Sequence, residues 1–417
     1  PVHLAVRELL HQRGMGAHKV EYVFSSGGLV EMEADDLEAG FARAVAEALR
    51  SAGISGQAIK AIGITSQAQT FAMVDPSGKP FHPFISWRDM RATATCERLL
   101  ANEALPDFSR HSSFNELLPV LTVCLAAHLR AEHPDWFIPG CRLLPLPSFF
   151  CQRLCGEATL DNNLAAMLGL YSLSEKSWWS RAVSACGIVP EQLPRLVDIG
   201  KIAARTGKDA ERLGLPAGIP VVMAGNDQTS GAYGADLSEE GGLLLTLGTA
   251  QVAYRVQRDL PAPAAGLIRG PYPGGLAYGM AAEDCGCGVV NWAKTVIQGC
   301  ASDAEFFAAA AQAPEGCEGL SFSPLLSEGK GGWQGLGLHH KPTHLARAVL
   351  ESLSDRMAAM VARLEAGSRA RTILAAGGGS KQPFWLKLLE QRLGRQLACT
   401  EADPLRGAAK LAGAFIQ

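Results

Sequence analysis

The run Gly218-Ile219-Pro220-Val221-Val222-Met223-Ala224 is apolar throughout and stops abruptly at Gly225-Asn226-Asp227. A strand with no polar alternation is buried on both faces, so helices must cover the sheet above and below. That requirement points to an α/β protein. Other segments agree. Leu37, Phe41, Val45 and Leu49 recur every fourth residue between the acidic start Glu33-Ala34-Asp35-Asp36 and Gly53, which predicts a helix. Ala61 to Ile64 and Phe71 to Val74 read as short buried strands. Leu117 to Leu129, with Pro119 in its first turn, reads as a buried helix, and Glu175 to Val183 carries the Trp178-Trp179 pair.

The second half repeats the alternation with more glycine. Of 45 glycines, the densest clusters lie at 241–242, 286–288, 331–332 and 377–379. Leu243 to Leu247 and Gln251 to Val256 flank Gly248-Thr249 as strand, turn, strand. A long helix is expected after Pro342, with Leu345, Val349, Leu353, Met357, Met360 and Leu364 on one face, ending at Gly367. It leads to the strand Thr372 to Ala376, the Gly377-Gly378-Gly379 turn and a helix with Pro383 in its first turn. Strands and helices in two halves predict a two-lobed α/β enzyme with a central cleft.

Charge narrows the partners. Lys+Arg 38 against Asp+Glu 41 leaves −3, which provides no footprint for nucleic acid or an anionic membrane. No apolar run reaches the roughly 18 residues of a membrane span. Eleven cysteines without a CxxC pair, and no signal-peptide pattern at Pro1, read as core thiols in a reducing cytoplasm. His339, His340 and His344 lack a carboxylate or cysteine at metal spacing.

Several segments can carry chemistry. Asp227 stands at the carboxyl end of a buried strand, where open α/β sheets place ligands; it is either a general base or the cap of the next helix. Gly248-Thr249 and Gly377-Gly378-Gly379 are strand-to-turn junctions without bulk, either phosphate-facing or plain turns, and neither fits a P-loop. Gly286-Cys287-Gly288 is either another such turn or a site of close helix packing. Trp87, Asp89 and Arg91 alternate, so on an extended segment they would share one side: an aromatic face, an acceptor and a forked donor for a polyhydroxylated ligand, or else a surface ion pair beside a tryptophan.

In order and spacing these pieces resemble the FGGY family of carbohydrate kinases. The resemblance rests on Ile62-Gly63-Ile64-Thr65-Ser66-Gln67, Trp87-Arg88-Asp89-Met90-Arg91-Ala92, Ala224-Gly225-Asn226-Asp227-Gln228 and Leu247-Gly248-Thr249. Gly288-Val289-Val290-Asn291-Trp292, Arg347-Ala348-Val349-Leu350-Glu351, Gly377-Gly378-Gly379 and Gly407-Ala408-Ala409 complete it. It implies the actin-like, ribonuclease H-like ATPase fold, with a sugar-binding lobe over 1–236 and a nucleotide-binding lobe over 237–417. It further implies ATP and Mg²⁺ as cofactors, a small sugar or polyol as partner, and a homodimer as one assembly left open. Asp227 then matches the general base, and Gln67, Gln69, Trp87, Asp89, Arg91 and Gln228 fall in segments that line or support the sugar pocket. Gly248 and Thr249 lie on the phosphate side, and Gly288, Gly377, Gly378 and Gln382 near the adenosine. Which residues hold the metal is not implied.

Two departures stand out. Glycerol kinases carry Arg-Glu where this chain has Ala68 and Gln69, so a ketose or polyol is expected rather than glycerol. The family's opening Asp-x-Gly-Thr hairpin is also missing: Arg7 follows Val6 directly. A hairpin tip is therefore expected to have been left out between Val6 and Arg7, since strands without it should not pair, and residues are likewise expected to be left out at Glu328 to Trp333, a run shorter than the family's usual connection. If that hairpin is truly absent, a catalytically inactive sugar sensor on the same fold becomes the rival reading. A chaperone-like ATPase is a further rival, disfavoured because Trp87, Asp89, Arg91 and Gln228 would have no use in it.

Overall fold

The computed structural model describes residues 2–8, 11–326 and 329–416. The chain forms two compact units. One comprises Pro1–Asp236, Leu260–Ala277 and Asp403–Gln417, and the other Leu237–Asp259 and Tyr278–Ala402.

In the first unit the strand Pro220–Asn226 is buried at all seven positions. It lies between Ile62–Ser66, which it pairs in parallel, and Ile202–Arg205, which it pairs antiparallel. Pro220 is tolerated because it opens the strand. A second sheet contains Leu29–Met32, Phe84–Ile85, Phe71–Val74 and Arg142–Pro145 in that order. Along Phe71–Val74 the two-residue period sorts side chains between two cores. Phe71 and Met73 pack with Leu121, Leu125 and Leu143, while Ala72 and Val74 pack with Leu37, Phe84 and Phe149. The helix Ala34–Ala52 supplies Leu37 and stops at Gly53, whose left-handed φ of 67° lets its N–H reach back to the last carbonyls.

In the second unit Gly242–Leu247 lies between Gln251–Gln257, antiparallel, and Thr372–Ala376, parallel. The helix Pro342–Leu364 packs Val349, Leu353, Met357 and Met360 inward. Pro383–Leu393 follows, with Trp385 fully buried. Pro342 and Pro383 sit in first turns, where a missing N–H costs nothing.

Several expectations are corrected. The expectation that strands joined without the hairpin tip should not pair is overturned. Val2–Glu8 runs through both residues and pairs antiparallel with His11–His18, Val6 opposite Gly14 and Arg7 opposite Gln12. Arg13 is the extra residue of a bulge, and such a bulge bends a strand without ending it. Of the second expected omission, Ser327 and Glu328 lie outside the described residues; Ser321–Ser323 and Gly332–Gln334 on either side form an antiparallel pair. The helix expected from Leu117 starts at Thr122, past Pro119. In the Trp178-Trp179 segment, Ser177–Trp178 forms a hairpin with Tyr171–Ser172, and a short helix spans Ser180–Ala185.

Candidate functional site

The carboxyl ends of two parallel strands build the first site. Asn226 is in register with Ser66, so Asp227 and Gln67 leave the sheet at the same edge. The chain can turn there because Gly225 takes φ +74°; a side chain would meet Ile199 Cδ1 at 2.4 Å. Asn226 caps the helix Asp227–Gly234, its Oδ1 accepting from the Thr229 N–H at 2.8 Å. The cap is therefore Asn226, and Asp227 is left over for other work. Its carboxylate accepts from the Gln228 N–H at 2.9 Å. Although solvent reaches it, enough protein surrounds the group that lost hydration raises its pKa above 3.8. A base whose pKa is raised holds a proton better once it takes one.

Gln67 is held at both ends of its amide: Tyr22 donates its hydroxyl to Oε1 at 3.0 Å, and Nε2 donates to Thr70 Oγ1 at 2.8 Å. Thr70 Oγ1 also accepts from the Trp87 N–H at 3.3 Å, which ties the Trp87 segment to this edge. Gln69 is the strained member. It has φ +65° without being glycine, is 7 % exposed, and its Oε1 has no hydrogen-bond partner. A buried carbonyl oxygen left unpaired costs about 1–3 kcal/mol, and a non-glycine left-handed residue adds to it. Strain and an orphaned acceptor together fit a group kept for a ligand hydroxyl.

Trp87, Asp89 and Arg91 do not share one side as an extended segment would have them. Residues 86–89 form a tight turn, with the Asp89 N–H bonded to the Ser86 carbonyl at 3.0 Å. Trp87 is exposed, whereas Asp89 is fully buried. Asp89 binds Arg91 through both oxygens, at 2.9 and 2.8 Å, and accepts the Val30 N–H at 2.7 Å. Arg91 also reaches Glu31 at 2.6 Å. The ion pair is thus internal, and it anchors the loop that carries Trp87. A mostly apolar cavity of about 200 Å³ touches Gln67, Phe41 and Phe150 but neither Asp227 nor Trp87.

The second unit holds the glycine turns. Gly248-Thr249 joins two strands, and the helix Cys287–Val296 seats its first N–H groups on it: Cys287 donates to the Gly248 carbonyl at 2.8 Å and Gly288 to that of Thr249 at 3.2 Å. At Gly286 a Cβ would sit 2.6 Å from the Gly248 oxygen, so this glycine serves close packing. Gly288 spends its N–H on the turn, while Thr249 is exposed. The three glycines at 377–379 have separate reasons. Gly377 has φ +91° and lies against the Leu247 carbonyl, where a Cβ would approach to 2.6 Å. A Cβ at Gly379 would meet the Trp385 ring at 2.6 Å. Gly378 has an ordinary φ of −61° and ψ of −40°, and beyond its immediate chain neighbours no protein atom lies within 4 Å of its missing Cβ. Its smallness serves nothing inside the chain, which fits the close approach of a nucleotide. Gln382 follows, half-buried, its N–H bonded to the Gly379 carbonyl at 3.1 Å.

Sequence reasoning missed Thr70, Asp161, Asn163 and Gln251. Gln251 is fully buried with neither amide atom partnered. Asp161-Asn162-Asn163 carries a visible helix-start signal, but its partners lie some 60 residues on. Among the described residues no group of three His, Cys, Asp or Glu side chains could hold a metal ion, and no helix is long and apolar enough to cross a membrane.

Residues 13–234 match the N-terminal domain of the FGGY family of carbohydrate kinases, and 244–415 its C-terminal domain. The chain is 27% identical over 375 residues to a xylulose kinase of Escherichia coli, covering 85% of this chain and 76% of that one. It is 27% identical over 359 residues to an L-fuculokinase of Salmonella typhi, covering 82% and 74%. Among solved structures, xylulose kinase from Rhodospirillum rubrum superposes with a TM-score of 0.89 at 23% identity, over 98% of this chain and 86% of that one. Plasmodium falciparum glycerol kinase with ADP gives 0.84 at 17%, over 95% and 83%. These likenesses establish the expected fold, that of the actin-like sugar kinases. Matched by both domain models in succession over nearly its whole length, the chain belongs to the FGGY family of carbohydrate kinases.

Proposed function

We propose that the protein transfers the γ-phosphoryl group of ATP to a hydroxyl of a ketose or polyol, with Asp227 as general base. The observation that carries this reading is the Asp227 carboxylate, set at a strand end, released from capping by Asn226 and raised in pKa by lost hydration. Asp227 accepts the hydroxyl proton as that oxygen forms its bond to phosphorus; the bond to the bridging oxygen breaks and its electron pair leaves with ADP. Gln67, Gln69, Gln228 and Trp87 bind the sugar, and the Asp89–Arg91 pair holds the Trp87 loop. Residues 1–236, with Leu260–Ala277 and Asp403–Gln417 that pack into the same unit, form the sugar-binding lobe, and the rest of 237–417 forms the nucleotide-binding lobe.

Gly248, Thr249, Gly377 and Gly378 bind the nucleotide, beside Gly288 and Gln382. Mg²⁺, carried in with the phosphates, would neutralise their charge; such ions are commonly held by one or two carboxylates plus substrate oxygens, so a three-ligand protein cage is not required. Ala68 and Gln69 in place of an Arg-Glu pair argue against glycerol. Similar proteins named xylulose kinase and L-fuculokinase support a sugar in this role.

An ATP-consumption screen over ketoses, aldoses and polyols tests the proposal, with Asp227→Asn as control. Sugar-dependent ADP release that disappears in the variant supports it. Sugar binding without ADP release would favour the inactive sensor, whose supporting observation is that no Asp-x-Gly-Thr occurs in the sequence.

A further inference from the structure

We infer that Asn163 is a positioning residue for the reaction, holding the Asn226 backbone and the Thr229 side chain on either side of Asp227 so that the base stays aimed at the reacting hydroxyl. The inference rests on the reading of Asp227 as base.

Asn163 is fully buried in the first turn of the helix Asn162–Met167. Its Oδ1 accepts the N–H of Asn226, the residue before Asp227, at 3.0 Å. Its Nδ2 donates to Thr229 Oγ1, two residues after Asp227, at 3.0 Å, and to the Pro271 carbonyl at 2.8 Å. The orientation of this amide is unambiguous, because a flip would set NH₂ against an N–H and oxygen against a carbonyl. The neighbouring side chains assist. Asp161 Oδ2 accepts the Gly225 N–H at 3.3 Å. Asn162 takes the Ile199 N–H at 3.0 Å, and Ile199 packs over Gly225.

No substitution reproduces this set. A carboxylate cannot donate to Thr229 and Pro271, and alanine can do nothing. Since a misplacement of about 1 Å can cost on the order of 10²-fold in rate, loosening both flanks of the base should appear in kcat.

The test is a double-mutant cycle on the full chain, with xylulose or the sugar ranked first in the screen. Asn163→Ala should lower kcat by about 10- to 100-fold and leave the KM for ATP within about twofold. In the Asp227→Asn background, where there is no base left to aim, the same change should cost no more than about twofold. An equal loss in both backgrounds, or an unchanged kcat, overturns the inference and identifies Asn163 as a general packing residue. Near wild-type activity of Asp227→Asn alone would instead remove the base itself, a failure the cycle shows separately. If Asn163→Ala does not fold, Thr229→Val removes a single arm and must show a smaller kcat loss with the same non-additivity; additive behaviour there also overturns the inference.

Discussion

Changing Gly378 to alanine separates a glycine kept for a ligand from one kept for the fold. At φ −61° and ψ −40° the backbone suits any residue, and beyond its immediate chain neighbours the new methyl would meet no protein atom within 4 Å. Such a substitution restricts the unfolded chain and stabilises by about 0.4–1 kcal/mol. The adjacent positions predict the opposite. Gly377→Ala must hold an L-residue at φ +91° with its Cβ 2.6 Å from the Leu247 oxygen, and Gly379→Ala drives a methyl to 2.6 Å from Trp385. Left-handed strain of about 1–2 kcal/mol in the first, and overpacking of about 1–3 kcal/mol in either, should lower their melting temperatures. If nucleotide approaches Gly378, its methyl takes that space, and a clash of about 1.4 kcal/mol means a tenfold rise in the KM for ATP. Thermal melts and steady-state kinetics on the three variants are the assay. Gly378→Ala should melt at or above the wild type, with a raised KM for ATP and an unchanged KM for sugar. An unchanged KM for ATP, or a melting loss matching that of Gly377→Ala, refutes the reasoning.

Asp227→Asn should lower kcat by roughly 10²-fold or more while nucleotide binding, measured by calorimetry, stays intact. Trp87→Ala should raise the KM for sugar more than that for ATP. Arg91→Ala leaves the fully buried Asp89 without its partner and should cost about 3–5 kcal/mol in a denaturant titration, a loss that an exposed ion pair would not give. Asp161 supplies a pH test. Burial raises its pKa from 3.8 to about 6, so the folded chain holds a proton there that the unfolded chain releases. Ionised Asp161 therefore burdens the fold above pH 6, and stability from this group rises as pH falls from 6 toward 3.8, by about 3 kcal/mol at most. Denaturation curves of Asp161→Asn at pH 7 and pH 4.5 should lack that increment.

Much of the architecture is legible because its signals are local. The helix Ala34–Ala52 and the strand Thr372–Ala376 follow from periodicity, from Gly53, and from the glycines after Ala376. The failures share a cause: where residues pack tightly, an apolar stretch has no period of its own. Composition alone extends the helix back over Leu117 to Leu121, and nothing local shows that a strand ends between Trp178 and Trp179.

At the candidate site the division is sharper. The sequence alone determined that a carboxylate follows a doubly buried strand, that glycines terminate the strands of the second half, and that Trp87, Asp89 and Arg91 occur together, since each of these is a matter of order along the chain. Only the tertiary structure decided that Asn226 rather than Asp227 caps the helix, that Asp89 is sealed inside with Arg91 half-buried against it, that Gly378 alone of its triplet has open space before it, and that Asn163 grips both sides of Asp227. Those outcomes depend on burial and on hydrogen bonds between segments as far apart as Asn163 and Pro271. A donor's choice of partner is set by which groups the fold brings within 3 Å and shields from water, and no local pattern encodes that distance.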